Sequence, residues 1–174
     1  IRCHPYLLKE MEAAQRGDAV AFDQALFGHI KLLTSNLARA TFHGLTRARF
    51  AHAPIDREEA KYYRQLTRLS AAFAVTAESA LLTLGGELKR KESLSGRLGD
   101  VLSLMYLASA TLKRYADEGR QTADRPLLEW AVRDALYQAQ QKLFEVYDNL
   151  PSRALGRVLK WVLFPYSASY RAPD

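Results

Sequence analysis

An all-α fold is what this sequence predicts, on three observations. Apolar residues recur at steps of three and four along most of the chain, no stretch alternates with a period of two, and each periodic stretch is bounded by Gly, Pro or a capping residue. Short connections between the stretches favour antiparallel neighbours, so the expected architecture is an up-down antiparallel four-helix bundle with two short flanking helices.

The pattern is clearest from Leu94 to Tyr115, where Leu94, Leu98, Val101, Met105, Ala108, Leu112 and Tyr115 form one seam. Between Val101 and Leu112 there is no charge on any face. The expectation is a central helix enclosed by protein on all sides, with Ser93 as N-cap and Lys113 and Arg114 at the end where the helix dipole favours cations.

In chain order, Pro5 opens a short helix that Gly17 stops, and Asp18 caps a long helix running to about Arg47. Its expected seam is Phe22, Leu26, Ile30, Leu33, Leu37 and Ala40. Pro54 marks a loop, after which Asp56 is the expected cap of a third helix with seam Leu66, Leu69, Phe73, Thr76 and Ala80, ended at Gly85 and Gly86. Lys89 to Lys91 make an exposed basic corner before the central helix. Gly119 marks a turn, and Asp124 with Pro126 starts a helix whose face carries Leu128, Ala131, Ala135, Ala139, Leu143, Val146 and Leu150, broken by Pro151. A last short helix runs from about Ser152 to Leu163, and the tail through Tyr170 reads as coil. No apolar run reaches the ~20 residues that span a bilayer.

At 174 residues the chain suits one domain, 1–174. One cysteine, Cys3, excludes an intramolecular disulfide. A net charge of +6 permits polyanion binding, but the cations are scattered along the sequence, as on solvated helix faces. Opening without Met at Ile1, the chain reads as a piece of a longer one.

Chemistry is sparse. A carboxylate-bridged metal pair needs Glu-x-x-His, and no Glu here has His three positions later, so no metal site is expected. His29 and His43 lie about 21 Å apart on one helix and cannot share an ion. Surface or capping roles are expected for them and for His4 and His52, and Cys3 is read as a bystander. Glu78, in an Ala-rich stretch, is either a desolvated base or an acid paired with an Arg across the bundle. Arg97 and Asp100, which flank Gly99, are read as a structural ion pair or as hydrogen-bonding contacts at an interface. The tyrosines at 62, 63, 106, 115, 137 and 147 fall in helical patterns and are expected to pack. No phosphate loop, nucleophile elbow or dinucleotide fingerprint occurs. The last helix sets Leu155, Val158, Leu159, Val162 and Leu163 against Arg153, Arg157, Lys160 and Trp161. That is the pattern of a helix packed on the bundle or of an interfacial one.

The stretch LGGELKRKESLSGRLGDVLSLMYLASATLKRYADEGR, from Leu84 to Arg120, resembles the C-terminal extension of the bacterial acyl-CoA dehydrogenases of fatty-acid β-oxidation. So do IRCHPYLLKEMEAA, YYRQLTRLSAAFA, DALYQAQQ and the FP pair of Phe164 and Pro165, in the same order. The resemblance implies a flavoenzyme that oxidises a fatty acyl-CoA thioester to the trans-2-enoyl-CoA, with FAD and the glutamate base in a catalytic core upstream. No catalytic or flavin-binding residue is therefore expected in this stretch. The domain is expected to be structural, packed on its own dehydrogenase core or on a second subunit of a homodimer, in an enzyme that passes electrons to a partner protein. The alternatives are a peripheral membrane-attachment module acting through Arg153, Leu155, Arg157, Leu159, Lys160 and Trp161, and a free-standing basic helical module. Nucleic acid is not an expected partner, and the expected location is cytoplasmic or peripheral to the inner membrane.

Overall fold

The computed structural model describes residues 4–167 and 169–174. Cys3 lies outside them. Six helices follow one another: α1 (Leu7–Arg16), α2 (Ala19–Leu45), α3 (Ala60–Leu84), α4 (Glu92–Asp117), α5 (Arg125–Asp148) and α6 (Arg153–Leu163). Single 3-10 turns occupy Gly85–Lys89 and Thr122–Asp124, and no strand occurs among the described residues. Four long helices and two short ones are what the periodicity predicts.

The chain divides into two compact units, residues 1–38 and 39–174, with the boundary inside α2. In the first unit, Gly17 ends α1 in the left-handed conformation (φ +67°), and Asp18 Oδ1 accepts from the Ala21 amide at 3.0 Å to cap α2. His4 Nδ1 accepts from the Leu7 amide at 2.9 Å and so caps α1. His29, expected at the surface, is buried and meets Glu10 Oε1 at 2.8 Å. The Tyr6 ring lies so close to Gly28 that any side chain there would collide with it.

The expected α2 seam is met in part. Ala40 is buried and Phe22, Leu26 and Leu33 are half-buried, whereas Ile30 and Leu37 are exposed and Ala25, His29, His43 and Gly44 are buried instead. α2 carries apolar residues on several faces, so more than one seam satisfies the helical period.

In the second unit α3, α4, α5 and α6 share one core. All seven predicted seam residues of α4 are its buried residues. On α5, Leu128, Ala135, Ala139, Leu143 and Val146 are buried as expected, as is Leu150 just past its end, while Ala131 is half-buried; Val132, Leu136, Gln140 and Tyr147 join them. α6 packs backbone to backbone on α5: a methyl group on Gly156 would run into the Tyr147 carbonyl. Ser152 Oγ caps α6 by accepting from the Leu155 amide at 3.3 Å. Arg97 reaches Glu145 at 2.8 Å and Lys142 lies 3.8 Å from Asp100, so these charges are structural ion pairs between α4 and α5. Hydrogen bonding to Arg97 holds the Glu145 carboxyl below its usual range.

Three expected caps differ. Asp56 lies in a turn ahead of α3, which starts at Ala60. Ser93 sits inside α4, where its hydroxyl accepts from Arg97. Asp124 stands before α5 with no side-chain cap bond. The tail is not loose coil. Gln140, wholly buried, accepts the amides of Ser169 and Tyr170 at 2.7 and 3.1 Å and donates to the Tyr170 carbonyl at 3.2 Å.

By length and composition the stretch from Ala60 to Lys89 is long and apolar enough to cross a membrane, contrary to the sequence reading. Its Tyr62, Leu69, Ala72, Val75 and Ala80 belong to the core shared with α4 and α5.

Candidate functional site: an apolar face on α4 and α5

The main correction concerns α4. Enclosure on all sides is not what the structure shows. Leu102 is 56% exposed, Tyr106 72% and Leu107 55%, with Ser103, Ser109 and Ala110 exposed between them. Tyr106 is therefore the one tyrosine of the six that does not pack. The uncharged segment is buried on one side and bare on the other.

A groove borders this face on each side. Between α3 and α4, about 530 Å³ is lined by Tyr63, Leu66, Leu102, Met105 and Tyr106, with His52 and Arg39 at its edge. Between α4 and α5, about 510 Å³ is lined by Leu107, Ala110, Leu127, Leu128 and Ala131, with Thr111, Arg114, Tyr115, Glu118 and Asp124 completing the lining. Leu127 is 70% exposed, and Trp130, one turn further along α5, is half exposed. Apolar side chains adjoining across two helices, with charge kept to the ends, are the composition of a surface that another protein covers. Lys113–Asp117 and Arg114–Glu118 pair along α4 at 2.7 and 2.9 Å, closing the far end of the face with neutralised charge.

The residues expected to form an interfacial helix are divided by α6 packing. Leu159 is buried, Leu155 is half-buried, and Lys160 lies over the Phe144 ring at 4.6 Å and 3.8 Å from Asp148. Arg153, Arg157 and Trp161 face outward. The apolar stripe of α6 is thus covered by the bundle at Leu159 and Leu163 and in part at Leu155 and Val162, while Val158 stays 54% exposed.

Other singled-out residues fall elsewhere. Glu78 is buried in α3, and His52 is exposed. His43 is buried with its Nδ1 unpartnered, and burial, with the charges of Arg39 and Arg68, holds its pKa below the usual value. Arg68, which the sequence does not single out, is 3% exposed. Its guanidinium lies 5.1 Å from the Phe164 ring centre and 5.8 Å from that of Tyr170, and burial lowers its pKa. No carboxylate pairs with it among the described residues; the aromatic faces stand in for one.

The whole chain, residues 1–174, matches the family described as acyl-CoA dehydrogenase, C-terminal, bacterial type. It belongs to that family and is a helical domain of the acyl-CoA dehydrogenase class of oxidoreductase. No solved structure matches it.

Proposed function

We propose that this domain is a structural support of an FAD-dependent acyl-CoA dehydrogenase that converts fatty acyl-CoA to trans-2-enoyl-CoA in β-oxidation, and that it docks on its own dehydrogenase core through the α4–α5 face. One observation carries the reading: Leu102, Tyr106, Leu107, Leu127 and Trp130 are large exposed apolar side chains on the two helices that carry most of the core. Exposing that surface to water is unfavourable by about 25 cal/mol per Å² of apolar area. The family's description as a C-terminal domain supports the choice of a preceding catalytic core as the occupant.

The dehydrogenation needs FAD, and the described residues do not fit it. Five grooves of about 370 to 600 Å³ are open to solvent, and none of the five is a slot enclosing a flat tricyclic ring. Flavin, base and acyl pocket are assigned to the core, and this domain contributes rigidity and placement. A cytoplasmic enzyme, or one peripheral to the inner membrane, accords with this role.

Hydroxyl-radical footprinting of the full-length protein tests the docking. Tyr106 and Trp130 are expected to be protected, while Trp161, 74% exposed, is labelled and serves as internal reference. Labelling of Tyr106 as strong as that of Trp161 would overturn the reading. Protection that disappears on dilution would transfer the face to a second subunit.

A further inference from the structure

The cations that look scattered in the sequence are not scattered in the fold. The turn after α2 and the first turns of α3 enclose a groove of about 560 Å³ whose lining includes Arg47, Arg49, Lys61 and Arg64 and no carboxylate. Among the described residues, Arg47, Arg49 and Arg64 take part in no ion pair, and the buried Nε of Arg64 has no acceptor. Lys61 alone reaches an acid, Glu129 at 3.7 Å. Like charges gathered in one groove repel, and a single Asp or Glu would relieve them.

The backbone is shaped to present these groups. Arg47 and Ala48 have φ of +50° and +58°, a left-handed conformation that non-glycine residues rarely adopt. Ala48 is fully buried, and its amide donates to the His43 carbonyl at 2.9 Å, so the two arginines flanking it both line the groove. Arg47 is then fixed from the other side. Its guanidinium stacks 4.4 Å from the centre of the Tyr166 ring, and the Tyr166 hydroxyl donates to the Leu45 carbonyl at 3.2 Å. Backbone strain held by burial, with a stacked guanidinium, is a pre-organised arrangement and not a solvated charge run.

We propose that this groove binds a phosphate-bearing anion with two or more negative charges. Guanidinium forks match phosphate oxygens in pairs, which a point charge does not. Phe50, 71% exposed, and the Tyr166 ring add an apolar wall beside the charges, suited to the organic part of a phosphoester. A soluble phosphoester and an anionic lipid headgroup offer the same chemistry. The site is separate from the α4–α5 face and does not depend on the docking proposed there.

Calorimetric titration of the full chain with inorganic pyrophosphate at low ionic strength tests it. One saturable site is expected, weakened roughly ten-fold or more in the double variant Arg49→Gln/Arg64→Gln. The control Lys89→Gln/Arg90→Gln removes two cations from the exposed corner before α4 and is expected to bind as the wild type does. Melting midpoints report whether each variant folds; the exposed Arg49→Gln alone replaces the double variant if that one does not. Sedimentation with phosphatidylglycerol vesicles, against phosphatidylcholine ones, separates the sources. Retention displaced by pyrophosphate supports a headgroup, and pyrophosphate binding without retention supports a soluble phosphoester. Absence of saturable pyrophosphate binding, or equal weakening in the control, would overturn the proposal.

Discussion

Gln140 shows how one polar side chain can fix a segment that has no secondary structure. Its amide satisfies two backbone donors and one acceptor of the tail, in a place where water does not reach. Replacing it by Leu leaves those backbone groups without partners, at about 1–3 kcal/mol each if they stay buried, so the tail should detach instead. Gln140→Leu is therefore expected to lower the urea midpoint and to make Tyr170, now 7% exposed, accessible to iodination or radical labelling. A Tyr170 that stays protected would show that the tail is held by Arg68 and the aromatic contacts instead. Thr76 and Tyr147 make another buried polar contact of the core, 2.9 Å between hydroxyls.

Among the elements, α4 carries the sharpest contrast. Leu98 and Leu102 lie one turn apart on the same helix, 8% and 56% exposed. Leu98→Ala should cost about 2–5 kcal/mol by removing core contacts and leaving a cavity. Leu102→Ala should change the stability of the domain by no more than about 0.5 kcal/mol, since surface substitutions rarely do more. Chemical denaturation of both variants checks this, and similar losses would mean that the outward face of α4 is covered in solution. Period alone identified the inner seam, because a 3.6-residue repeat needs only one buried face. It could not say whether the opposite face was buried too, because Ser, Ala, Leu and Tyr are at home in either setting.

For the whole molecule the buried titratable groups set a pH window. Burial, followed by Arg39 and Arg68, depresses the His43 pKa below the ordinary histidine value of 6.5, so below that pH the unfolded chain takes up a proton that the folded one resists. Stability is then fully present above 6.5 and is lost as pH falls through the folded value, by up to about 1.4 kcal/mol per pH unit. Burial raises the phenols of Tyr62 and Tyr147 above 10.0 and pushes that of Tyr170 up to about 12. Their contribution is complete below pH 10 and disappears as pH rises through the folded values. Urea midpoints measured across pH should show a plateau between these limits. The alkaline limb should be shallower in Tyr147→Phe and the limb just below 6.5 shallower in His43→Gln; limbs unchanged in both would contradict the assignment.

Sequence alone determined the all-α class, the number and lengths of the helices, the seven-residue seam of α4 and the family, because periodicity and breakers are local properties and long shared strings are specific. The burial of His29 in α2 was beyond it, since several apolar stripes satisfy one period and the Glu10 carboxylate that His29 meets lies 19 residues away. So was the exposure of Tyr106, which depends on whether another element lies over α4. The cluster of Arg47, Arg49, Lys61 and Arg64 was equally hidden: residues 50–60 separate the two halves in the chain, and the left-handed turn at Arg47 and Ala48 brings them to one groove. Tertiary structure decided these three because each depends on which residues distant in sequence become neighbours in space.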